Sequence, residues 1–164
     1  MDNSERRQSD RRRAPRGGRR TADLPGRHPR LIVADSYEGA LRPCSRYLDH
    51  FAFDVAAVSD SQGVLAELNA QRPALILMDT KLRNPSALEL ITGPARGIPV
   101  ILMEDAIDEP DAPQSIETSH AAAVLVKPFA LGTMMETIRA VLRAQSAVSS
   151  EYRAAPASGT VNGG

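Results

Sequence analysis

The sequence predicts a three-layer α/β domain, with a five-stranded parallel sheet in the order 2-1-3-4-5 between two layers of helices. Three observations lead there. Short unbroken apolar runs recur, as expected of strands buried on both faces of a parallel sheet. Segments with helical spacing separate these runs, which is the alternation of a repeated strand-helix unit. Four of the runs also end on a charge: Leu31-Ile32-Val33-Ala34 before Asp35, Ala74-Leu75-Ile76-Leu77-Met78 before Asp79, Pro99-Val100-Ile101-Leu102-Met103 before Glu104, and Val124-Leu125-Val126 before Lys127. Ligand sites in open parallel sheets lie beyond the carboxyl ends of the strands. Three carboxylates and one ammonium are therefore expected along one edge.

The elements follow in order. After the first strand, Leu41, Cys44, Leu48 and Phe51 keep helical spacing, with Pro43 expected to delay or kink that helix. Phe53 to Val58 reads as the second strand. Ser59, Asp60 and Ser61 offer N-caps for a helix carrying Val64, Leu65 and Leu68 on one side. Pro73 marks the turn into the strand that ends at Asp79. Leu88, Leu90 and Ile91 suggest a short third helix closed by Gly93-Pro94. The acidic, Pro-interrupted stretch from Glu104 to Pro113 reads as a loop, and a short fourth helix is expected from about Gln114 to His120. The last helix has the clearest period, in Leu131, Met134, Met135, Ile138, Val141 and Leu142. Cys44 and the Met134-Met135 pair belong to the core on this reading.

The chain of 164 residues is long enough for one core and too short for two ordinary domains. Its zero formal charge hides an asymmetry: residues 1–30 hold ten arginines against four acids, +6, which leaves −6 for the rest. Residues 1–29 are rich in Arg, Gly and Pro and almost devoid of large apolar side chains, so a disordered arm is expected there. The folded domain is expected over residues 30–145, and the Ser-, Ala- and Gly-rich residues 146–164 read as a flexible tail. A single cysteine, Cys44, excludes an intrachain disulfide and a zinc site of the usual four-ligand kind. His28, His50 and His120 lack ligand spacing. No apolar stretch approaches the roughly 20 residues of a membrane span, and no apolar segment follows the basic start as a secretory signal requires. A cytoplasmic protein is expected.

The apolar runs ending at Asp35 and Asp79, the run Pro99–Met103, and the turn Val126-Lys127-Pro128-Phe129 together resemble a response-regulator receiver domain of bacterial two-component signalling. The resemblance covers about residues 30–145 and implies a flavodoxin-like fold. It implies that Asp79 is the phosphoacceptor, attacking the phosphorus of a phosphohistidine to form an acyl phosphate. Lys127 and Thr80 would contact the phosphoryl group. Mg²⁺ would be held by Asp35, Asp79 and the backbone carbonyl of Lys81. The implied partners are a histidine kinase or phosphotransfer protein and an unknown downstream protein. No enzymatic activity is expected beyond the chain's own phosphoryl transfer to Asp79.

The sequence also departs from the family. Ser36 stands where a second acid usually follows Asp35, and a hydroxyl is the poorer Mg²⁺ ligand. Glu104 stands at the switch position, usually Thr or Ser. A carboxylate about 4 Å from a phosphoryl oxygen costs roughly 4 kcal/mol per charge pair at an effective dielectric of about 20. Glu104 is read either as a solvated loop acid, as a replacement metal ligand, or as a partner that locks Lys127. Val124 replaces the usual switch aromatic, Arg83 and Ala87 replace a frequent Pro and Gly, and the segment from Asp79 to Glu104 is short. Two further readings therefore stay open beside the phosphorelay receiver. One is a phosphorylation-independent pseudo-receiver that works as a protein-interaction module. The other is an adaptor whose arm binds nucleic acid or another polyanion through clustered guanidiniums, although the arm has no Phe, Tyr or Trp for base stacking. The arm could also dock on the acidic domain itself.

Overall fold

The computed structural model of the protein describes residues 28–106 and 120–154. The elements are β1 (Arg30–Ala34), α1 (Glu38–His50), β2 (Asp54–Val58), α2 (Ser61–Ala70), β3 (Leu75–Asp79), α3 (Ala87–Thr92), β4 (Val100–Asp105), β5 (Ala123–Lys127) and α4 (Leu131–Ala154). All strand pairs are parallel and the order is β2-β1-β3-β4-β5, as the sequence predicts. The arm, apart from its last residues, and the expected helix from Gln114, apart from His120, fall outside the described residues.

Side chains alternate across the sheet with a period of two, and this builds two cores. Leu31 and Val33 of β1, Leu75 and Leu77 of β3, and Ile101 and Met103 of β4 pack with α1 and α4. Ile32, Ala34, Ile76, Met78, Val100 and Leu102 pack on the other face with α2 and α3. Cys44, Met134 and Met135 are buried in the first core as expected. The same alternation decides where the charged strand ends fall. Asp35 and Asp79 continue the series facing α1 and α4, as do Lys127 after Leu125 and Asp105 after Met103. Glu104 continues the opposite series, after Val100 and Leu102.

Local chemistry sets the helix limits. Asp60 caps α2 by accepting from the Gly63 N–H at 2.7 Å. A capping box of Ser86 and Glu89 opens the six-residue α3. Pro43 sits inside α1 without ending it; its missing donor leaves only the carbonyl of Gly39, in the exposed first turn where water can bond it. Two expectations need correction. β5 is an edge strand and not buried on both faces: Val124 is 36% and Val126 53% exposed. And α4 runs to Ala154, so the boundary expected at residue 145 lies inside a helix of 24 residues. Residues 143–154 contain no Gly or Pro, and the first breaker, Pro156, disfavours helix from the residue before it. Among the described residues no helix is long and apolar enough to cross a membrane.

Candidate functional site

Three of the expected residues meet at the carboxyl edge of the sheet. Asp35 is fully buried and Asp79 is 4% exposed. Lys127 Nζ donates to Asp35 Oδ2 and to Asp79 Oδ2, each at 2.7 Å. The other oxygen of each carboxylate accepts a backbone N–H, Tyr37 to Asp35 Oδ1 at 2.8 Å and Lys81 to Asp79 Oδ1 at 2.7 Å. Buried carboxylates need such partners, because an unpaired charge away from water is costly. Two carboxylates share one ammonium, so the buried cluster carries one excess negative charge. Burial works against the Lys127 ammonium, but its hydrogen bonds and charge attraction to Asp35 and Asp79 outweigh this and raise its pKa above the ordinary value. The peptide between Lys127 and Pro128 is cis.

The remaining expected residues lie differently. Thr80 is turned away from the site: its N–H donates to the Met103 carbonyl at 3.1 Å, its hydroxyl approaches the same oxygen at 3.5 Å, and it does not line the cavity at Asp79. Glu104 does not pair with Lys127, whose partners are Asp35 and Asp79. The alternation of β4 turns it to the other face. Its neighbour Asp105, which the sequence reading did not single out, takes the place on the Asp79 side, opposite Lys127 in the ladder. There it pairs with the Lys81 ammonium, which draws the Asp105 pKa down and the Lys81 pKa up. The signal was available: Asp105 is two residues past Met103 and shares its face, provided the strand continues beyond Glu104.

These residues border a cavity of about 680 Å³ lined by Tyr37, Cys44, Asp79, Lys81, Asp105 and Phe129, among others. Burial, with Asp35 nearby, raises the Cys44 thiol's pKa and keeps it protonated, although Lys127 acts in the opposite direction. Glu104, turned to the other face of the sheet, does not join Asp35 and Asp79, and among the described residues no group of three His, Cys, Asp or Glu side chains is placed together to hold a metal ion. The donors are of the kind a hard cation takes: Asp79 lines a cavity with room for water, and Asp35 lies beside it, with Lys127 Nζ occupying the point between their Oδ2 atoms. Mg²⁺ is commonly held by one or two carboxylates while keeping several waters.

The response regulator receiver domain family matches residues 31–139, more than half of the chain. No curated protein matches the sequence significantly. Solved structures do. A receiver domain protein (CheY-like) from Methanospirillum hungatei JF-1 is 20% identical, with a TM-score of 0.64, over 73% of this chain and 98% of that one. A response regulator receiver modulated diguanylate cyclase from Pelobacter carbinolicus is 20% identical, with a TM-score of 0.62, over 74% and 98%. NtrX from Brucella abortus, solved in complex with ATP, is 18% identical, with a TM-score of 0.65, over 77% of this chain and 29% of that one. At such identities the likeness speaks for the fold.

Proposed function

Since the chain belongs to the response regulator receiver domain family, we propose that it is a phosphorelay receiver, a cytoplasmic phosphoprotein that accepts a phosphoryl group on Asp79 from a histidine kinase or phosphotransfer protein. The signal then passes through contacts with a downstream protein. The supporting observation is the Asp79 carboxylate itself, at the end of the central strand, opening on a cavity and held 2.7 Å from Lys127 Nζ. An oxygen of Asp79 attacks the phosphorus, the P–N bond to the donor histidine breaks, and the imidazole leaves with its electron pair. Mg²⁺, which receivers generally bind at their acidic pocket, would be held by Asp35, Asp79 and the carbonyl of Lys81, and would supply charge that lets two anions approach. The Lys81 N–H fixes the orientation of the Asp79 carboxylate. Lys127 exchanges its bond to Asp79 for one to a phosphoryl oxygen and keeps its bond to Asp35.

One observation favours the phosphorylation-independent reading. Each ammonium at the edge already has a carboxylate partner, Lys127 with Asp35 and Asp79 and Lys81 with Asp105. Asp105 also places a negative charge beside the entry to Asp79. Intact-mass measurement with acetyl phosphate and Mg²⁺ separates the two readings. The receiver gains one phosphoryl adduct that Asp79→Asn loses entirely. An unmodified mass in both proteins, at saturating Mg²⁺, establishes the pseudo-receiver instead.

A further inference from the structure

We propose that the amino edge of the sheet, opposite Asp79, carries a binding groove for single-stranded nucleic acid, built from Phe51, Arg139 and Arg143 where the Arg-rich arm joins the domain. The groove has a volume of about 510 Å³, and His28, Phe51, Phe53, Arg139 and Arg143 are among the residues that line it. Arg139 and Arg143 lie one turn apart on α4, so they project from the same side. Both are exposed, and among the described residues neither enters an ion pair, whereas Arg30 and Arg42 do. Phe51 is 41% exposed and is held in place by the Tyr47 and His50 rings, with centroids 4.9 and 5.3 Å away. The Arg139 guanidinium lies 5.8 Å from the Phe51 centroid. A guanidinium beside an exposed ring offers planar surfaces on which a base can stack, with positive charge for its phosphate.

The arm and the groove supply what each other lacks. The arm holds the charge, including Arg16-Gly17-Gly18-Arg19-Arg20, a composition of the Arg-Gly-Gly kind used on single strands, and it has no aromatic residue. The groove holds the rings, and it begins at His28, the residue where the arm meets the described domain. Stacking requires unpaired bases, which points to single strands and away from duplex. An anionic membrane fits less well, because the arm offers almost no large apolar side chain to insert.

The test is fluorescence anisotropy of the full chain with a labelled mixed-sequence 20-mer, as single-stranded RNA, as single-stranded DNA and as duplex, at 50 and 200 mM salt. Vesicles containing phosphatidylserine and heparin serve as competitors. The single strands should bind, and RNA against DNA shows which is preferred. Phe51→Leu, which keeps an apolar side chain in place, should weaken binding at least about fivefold at both salts. The double variant Arg139→Gln/Arg143→Gln should weaken it and lower the log–log salt slope by about 1.4. Unchanged melting temperatures confirm that these surface variants fold. Absent binding, equal affinity for duplex, full competition by the vesicles, or groove variants that bind like the unmodified protein would each overturn the proposal.

Discussion

Lys127 holds together a cluster that is otherwise two buried anions. Replacing it with an apolar side chain of similar length, Lys127→Met, leaves Asp35 and Asp79 facing each other, and breaking such a buried arrangement costs on the order of 3 kcal/mol. Urea denaturation at pH 7 should show that loss. The alkaline side tests the same cluster through Lys127 itself. The Lys127 pKa is raised above its ordinary 10.5 in the folded protein, so its stabilisation is complete below that value and is lost as pH rises through the folded one. The unmodified protein should therefore lose stability above about pH 10.5 in a step that Lys127→Met lacks. Asp35, Asp79 and Lys127 were legible in the sequence because each directly follows an apolar run. Thr80 and Glu104 were placed by analogy of position, and strand alternation directs both elsewhere. Asp105 was passed over because a second acid after Glu104 looked like the start of a loop.

Helix α2 approaches the sheet closely at a point where the sequence gives no hint of it. A Cβ on Gly63 would lie 2.8 Å from the Val58 Cβ, too close for two atoms that cannot rotate away. Gly63→Ala should lower stability by about 1 kcal/mol or more in thermal denaturation, although Ala is the better helix former. The apolar period gave the start of α4 but not its end. Leu142 is the last large apolar residue of the pattern, yet the helix continues for want of a breaker. In β5 the pattern misled in the other direction: an apolar run suits a central strand and an edge strand equally, and only the pairing order separates them.

The sheet divides the molecule into two cores, and β3 lies in the middle of both, with all five of its residues buried. Leu77→Ala should cost about 2–5 kcal/mol, as large-to-small changes in a packed core do. Val126→Ala, on the exposed edge, should stay within about 0.5 kcal/mol. Comparable losses for the two in chemical denaturation would contradict the edge position of β5. The direction of α4 has one more consequence. The helix leaves the Asp79 edge, spans about 36 Å against about 16 Å for a five-residue strand, and finishes past the edge where β1 enters. A label carried on α4 at the exposed position of Val148 therefore sits far from the acidic cavity, and a phosphodonor can be titrated onto the labelled protein without crowding Asp79.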